Sequence, residues 1–161
     1  TPLVGPVADG LVAGGWPVTR VRKLCQGISF AGPALCMCAC AVLTPLAVAG
    51  ASGAAGAAGV ASRATTAIVA LLSVAFALGA WARAGLYCNH QDLSPKYAGA
   101  LLGLSNTAGA LPGVIGVTAV GVLLDKTGSW GMSLFYPTAV CQLFGMVIYT
   151  LFASSKRQAW E

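Results

Sequence analysis

Charge is what this chain has least of. Aspartate, glutamate, lysine and arginine make up 8% of its 161 residues, four acids against nine bases, with a single histidine. A soluble domain carries about a quarter charged residues, so this chain has too little polar surface to stay dispersed in water. A hydrophobic content of 57% and a mean hydropathy of +0.80 make lipid its simplest solvent. The shortage also excludes whole classes of function. The net charge of +5 comes from bases too few and too dispersed between apolar runs to grip nucleic acid. The four acids stand far apart, and no HExxH, GxSxG or phosphate-binding loop is present, so the chain reads as neither an enzyme nor a cofactor-binding protein. No CxxC occurs among Cys25, Cys36, Cys38, Cys40, Cys88 and Cys141. On a helix Cys36 and Cys40 share a face while Cys38 points away, so one metal ion cannot take all three. These cysteines read as small buried apolar side chains.

What the chain does have is long uncharged runs. None of the 39 residues between Lys23 and Arg63 is charged, nor any of the 28 from Tyr97 to Leu124 or the 29 from Thr127 to Ser155. A spanning helix needs roughly 20 apolar residues. Four spans are therefore expected, near 24–46, 65–89, 97–123 and 131–153, with residues 1–8 as a helix stub. No signal or transit peptide is visible at the start, and the chain reads as a fragment of something longer. Residues 47–63, which hold the Gly/Ala stretch, are expected to form a flexible external loop that frays into helix at its ends, because the stretch has little side-chain surface to pack and Thr44-Pro45 discourages helix continuation. With four spans, Arg20, Arg22, Lys23, Lys96, Lys156 and Arg157 fall on one side of the membrane, and Arg63 and Lys126 on the other. The basic excess assigns the first side to the cytoplasm or its equivalent.

Several residues stand out as candidates for chemistry. Arg83 lies inside the second span, where an arginine costs roughly 2.5–3.5 kcal/mol to insert. Tyr87 and His90 follow it on the same face of a regular helix, at about 100° per residue. A permanent cation, a phenol and an imidazole suit a carboxylate or phosphate ligand. The bland alternatives are an arginine snorkelling outward or paired with a carboxylate elsewhere, and a histidine at a helix end beside Asn89 or Asp92. Asp9, followed by Arg20, Arg22 and Lys23, reads either as a clasp between helices or as a solvated loop. In the third span Gly99, Gly103, Gly109 and Gly113 recur at helical spacing and offer a face on which another helix could pack closely. Pro33, Pro112 and Pro137 fall inside expected spans and should kink them.

The order of these elements resembles a known family. Asn89-His90-Gln91-Asp92-Leu93-Ser94-Pro95-Lys96-Tyr97-Ala98-Gly99, followed by Gly103-Leu104-Ser105-Asn106, is similar to a signature of the anion–cation symporter family of the major facilitator superfamily. That family includes sialin and the vesicular glutamate and plastid phosphate transporters. Ala8-Asp9-Gly10-Leu11 with Thr19-Arg20-Val21-Arg22-Lys23 resembles the family's loop between helices eight and nine, and Phe152 to Glu161 resembles its C-terminal end. The resemblance implies an all-α polytopic bundle in which residues 1–161 form the C-terminal part of a major facilitator domain. It implies secondary active transport of an inorganic or organic anion, such as phosphate or carboxylates, coupled to Na⁺ or H⁺ by alternating access. The implied partners are the anion, the coupling ion, membrane lipid and an N-terminal half of the same chain.

His90 matches the family's histidine of the tenth helix, implicated in substrate or proton handling, and plastid phosphate members often differ there. Asn106 joins Arg83, Tyr87 and His90 as a substrate-binding candidate, while Asp92 and Lys96 join Asp9, Arg20, Arg22 and Lys23 in the loop motifs. Arg83 and Tyr87 are not family constants. A carrier for neutral solutes and a non-transporting membrane assembly protein are the rival readings. Which membrane holds the protein is open.

Overall fold

The computed structural model describes residues 4–51 and 57–156, and among them every regular element is helical. The elements are α1 (Val4–Ala13), α2 (Val18–Ala51), α3 (Ala57–Gly79), α4 (Cys88–Leu93), α5 (Ala98–Thr127) and α6 (Tyr136–Phe152). Two wide π-type turns interrupt the series, Arg83–Tyr87 before α4 and Gly131–Phe135 before α6. Four stretches are long and apolar enough to cross a membrane: Val18–Ala49, Ala58–Leu93, Ala98–Thr127 and Gly131–Phe152. The protein is a multi-pass helical membrane bundle.

Two helix ends have a local cause in glycine. Gly15 takes a φ of 88° in the turn from α1 to α2, and Gly128 closes α5 with a φ of 61°, its N–H donating to the Leu124 carbonyl at 2.8 Å. Both conformations favour glycine because no Cβ obstructs them.

The Gly/Ala stretch is helical at both its ends, as expected of a loop that frays into helix, and the helix reaches well inside 47–63. Helix α2 runs through Pro45 to Ala51, and α3 has begun by Ala57, so helix occupies most of the expected 47–63 loop and Arg63 lies inside α3. Alanine is the strongest helix former, and unwound backbone in lipid leaves polar groups unsatisfied. Around Pro45, Thr44 Oγ1 donates to the Cys40 carbonyl at 2.7 Å, binding the hydroxyl to the turn that the proline disturbs. The middle of the loop, the first three residues and the Trp160 end of the C-terminal motif lie outside the described residues. Pro33 and Pro112 sit inside α2 and α5, and Pro137 sits inside the span Gly131–Phe152, just after the wide turn that precedes α6.

Helix α2 is the centre of the bundle. It packs along α3, α6 and the Arg83–Tyr87 turn. Contact with α3 is close enough that a Cβ on Gly32 would stand 2.6 Å from Leu78, and Phe30 packs over Gly145 of α6. One apolar cluster joins Val4, Ala8, Val21, Cys25 and Ala84. Another joins Cys40, Ala41 and Phe135. Cys25, Cys36 and Cys40 are buried and unbonded to one another, in keeping with small apolar packing. Helix α5 is different, because none of its residues is buried. At Gly99, Gly103, Gly109 and Gly113 a Cβ would meet nothing within 4 Å. Among the described residues nothing packs on that small-residue face.

Candidate functional site

Three polar features lie around the helix that carries Arg83. The first is an opening of about 670 Å³ beside the C-terminal end of α3, lined by Phe76, Gly79, Ala80, Ala82, Arg83 and Tyr87. Arg83 and Tyr87 are both exposed there. A guanidinium and a phenol at an apolar rim can offer an oxyanion two parallel N–H bonds and an O–H bond.

A second opening, of about 640 Å³, lies between α2, α3 and α6, where Gln26, Ser29, Thr138 and Gln142 interrupt an apolar lining. The two openings share Phe76, Gly79 and Ala82. Gln142 Oε1 is buried with no hydrogen-bond partner among the described residues.

The third feature is a tie between helix ends. Arg22 Nε donates to Asp92 at 2.7 Å and Nη2 donates to its second oxygen at 3.3 Å, a two-point pair in which the side chains are 12% and 24% exposed. Arg22 Nη1 also donates to the Ala84 carbonyl at 3.1 Å. Ser155 lies beside Asn89, its Oγ 2.6 Å from Oδ1, and its N–H donates to Thr19 Oγ1 at 3.2 Å. The start of α2, the end of α4 and the end of α6 therefore meet at one end of the bundle. Near them His90 Nδ1 and Tyr149 Oη are buried without a partner among the described residues. Buried polar atoms are nearly always satisfied.

The structure brings together some of the residues singled out in the sequence and separates others. Arg83 and Tyr87 line one opening, while His90 does not line it. The reason is the wide turn: the Cys88 N–H reaches back five residues to the Arg83 carbonyl. One extra residue in the turn rotates all later positions by about 100° relative to a continuous α-helix. Asn106 is exposed on α5 and lines neither opening. In the loop motifs, the carboxylate that meets Arg22 is Asp92. Asp9 is exposed and forms no ion pair among the described residues. Arg20 is exposed and Lys23 partly buried, while Lys96 lies over the Tyr97 ring, 5.3 Å from its centroid.

Gln26, Gln142, Tyr149 and Ser155 were not singled out from the sequence. Gln26 had a legible signal, a polar residue four positions after Arg22 on a membrane helix and hence on the same face.

No protein-family model matches the chain. Similarity to individual proteins is extensive. A probable chloroplastic anion transporter of Arabidopsis thaliana, number 6 of its series, is 42% identical over 164 residues, covering 100% of this chain and 28% of the relative. The chloroplastic sodium-dependent phosphate transport protein 1 of the same plant is 39% identical over 155 residues, 95% of this chain and 26% of the relative. Human sialin is 40% identical over 91 residues, 55% of this chain and 18% of the relative. The chain thus spans under a third of the length of these relatives. Similarity over the whole chain to plastid anion transporters, and over about half of it to sialin, is consistent with the anion–cation symporter family that its central motif resembles.

Proposed function

We propose that this chain is part of a secondary active carrier for inorganic or organic anions, phosphate or carboxylates, driven by Na⁺ or H⁺ through alternating access in a major facilitator bundle. The observation that carries the reading is Arg83. A guanidinium inside an apolar 36-residue span, Ala58–Leu93, is costly in lipid, and here it stands exposed beside Tyr87 at an opening large enough for a small anion. The names of the relatives support the same chemistry. One is a sodium-dependent phosphate transport protein, which supports coupling to a cation.

In this reading Arg83 and Tyr87 hold the anion, His90 and Asn106 contribute in other states of the cycle, and the Arg22–Asp92 pair fastens one end of the bundle. The bare face of α5 at Gly99, Gly103, Gly109 and Gly113 receives a helix from the rest of the carrier. The test is uptake of labelled phosphate, glutamate and sialic acid by the full-length protein in proteoliposomes under imposed Na⁺, pH and potential gradients. Gradient-driven accumulation of at least one anion is expected. A protein that accumulates none of them under any gradient is not an anion carrier of this kind.

Topology gives a separate prediction. The hydrogen bonds bring the basic segments near Thr19 and Ser155 to one end of the bundle. Cysteines introduced at 96 and 155 are expected to label from the cytoplasmic side, or its equivalent, and one at 60 from the opposite side. Labelling of 60 and 96 from the same side would contradict the assignment.

A helix face left bare in this structure gives another. Gly103→Leu and Gly109→Leu meet no obstacle within the described residues. Both are nonetheless expected to reduce folded full-length protein at least several-fold, because overpacking a close helix contact costs about 1–3 kcal/mol. Wild-type yield and uptake in both would mean that the face looks onto lipid.

A further inference from the structure

The wide turn at Arg83–Tyr87 is held from outside its own helix. Arg22 Nη1 donates to the Ala84 carbonyl, and Gln26 Oε1 accepts the Leu86 backbone N–H, each at 3.1 Å. The two side chains are four residues apart on α2 and so grip the turn from one face. Gln26 is only 3% exposed. Its approach requires Gly85, where a Cβ would stand 2.7 Å from Gln26 Oε1 and 2.8 Å from the Gln26 nitrogen.

The turn decides which residues of α4 share a side with Arg83. In a continuous α-helix His90, seven residues on, would lie about 20° from Arg83. With one extra residue in the turn His90 is carried round by about a further quarter-turn, and Gln91 comes onto the side of Arg83 instead. The accessibility pattern agrees: Arg83, Tyr87 and Gln91 are exposed, while His90 Nδ1 is buried without a partner among the described residues. An imidazole nitrogen held in that state gains a partner by turning towards a polar opening.

We propose that Gln26 is a positioning residue that sets the register of this helix. By holding the Leu86 N–H it keeps the turn wide and His90 turned inward. Release of that hold lets the turn close to an ordinary α-helical one, whose N–H groups find carbonyls four residues back, and brings His90 onto the side of Arg83 and Tyr87. This gives the helix two registers, one presenting Gln91 to the anion opening and one presenting His90. The functional consequence rests on the anion-carrier reading, but the register itself does not.

The experiment uses the full-length protein with its native cysteines replaced and a single reporter cysteine at position 90 or 91. Reaction with a methanethiosulfonate reagent is timed in each. With Gln26 intact, position 91 is expected to react faster than position 90. Gln26→Leu removes the acceptor and should raise the rate at 90 by about three-fold or more while lowering the rate at 91. Gln26→Glu keeps an acceptor oxygen and should leave both rates within two-fold. A general loosening of the fold would raise both rates together, and that result, or unchanged rates in Gln26→Leu, overturns the proposal. If Gln26→Leu does not reach the membrane, Gln26→Ala, which removes the same acceptor and fills less space, must produce the same exchange, or the proposal fails. Exchange of the two rates in a protein that transports no anion would sustain the register switch while removing the carrier reading.

Discussion

Arg83→Leu is expected to abolish anion uptake by the full-length protein without reducing the amount that reaches the membrane. Leucine is favourable inside a span, whereas arginine costs up to roughly 2.5–3.5 kcal/mol, the value at the centre, so the substitution relieves the insertion of the helix. Transport should respond in the opposite direction. Hydrogen bonds to charged groups are worth about 1.5–3 kcal/mol each, and a guanidinium can offer two to one oxyanion. Loss of both predicts a fall in kcat/KM of more than about a hundred-fold. Arg83→Lys keeps the charge and loses the fork, and should raise KM about ten-fold, the equivalent of one such bond at its weaker end. The measurement is initial uptake against anion concentration in proteoliposomes, normalised to protein quantified in the same vesicles. If Arg83→Leu takes up anion at the wild-type rate, Arg83 is a snorkelling residue and its opening is not the anion site.

Much of the architecture was legible because lipid imposes a simple rule. Gaps between charges pointed to four spans, and four helices among the described residues are long and apolar enough to cross a membrane. Arg83 was visible for the same reason, as an exception to the rule. The features that were not legible depend on contacts across the fold. Arg22 and Asp92 are 70 residues apart, and nothing local distinguishes Asp92 from Asp9 as the carboxylate that Arg22 meets. The wide turn is held by Gln26 from another helix, so the spacing of Arg83, Tyr87 and His90 alone pointed to one regular stripe. Helix α2 passes through Pro45 although proline and its preceding residue disfavour helix. There the surroundings outweigh local propensity, because unwinding in an apolar medium leaves backbone groups without partners. Composition and charge spacing thus report on the solvent, while register and ion pairing require the neighbouring helix.

Arg22→Ala is expected to cost more stability than Asp92→Ala, although the two residues form one ion pair. Exposed pairs contribute about 0–1 kcal/mol, whereas removing one partner of a buried pair costs about 3–5 kcal/mol. With side chains 12% and 24% exposed, this pair lies nearer the buried case. Asp92→Ala removes the carboxylate but leaves Arg22 bonded to the Ala84 carbonyl. Arg22→Ala removes both contacts at once and leaves Asp92 partly buried without its cation. Loss of the Ala84 contact should add about 1.5 kcal/mol or more, the lower end for a hydrogen bond with a charged partner. The charge reversal Arg22→Asp with Asp92→Arg separates the two contributions. It can rebuild an ion pair between α2 and α4, but an aspartate at 22 has no proton to donate to the Ala84 carbonyl. The double variant should therefore recover only part of what Arg22→Ala loses. Thermal unfolding of the purified full-length protein in detergent, followed by native tryptophan fluorescence, gives the ranking. Asp92→Ala should unfold at a higher temperature than Arg22→Ala, with the reversed pair between Arg22→Ala and wild type. Full recovery by the reversed pair would show that the bond to the wide turn adds nothing. Equal losses in the two alanine variants would show that Arg22 acts through Asp92 alone.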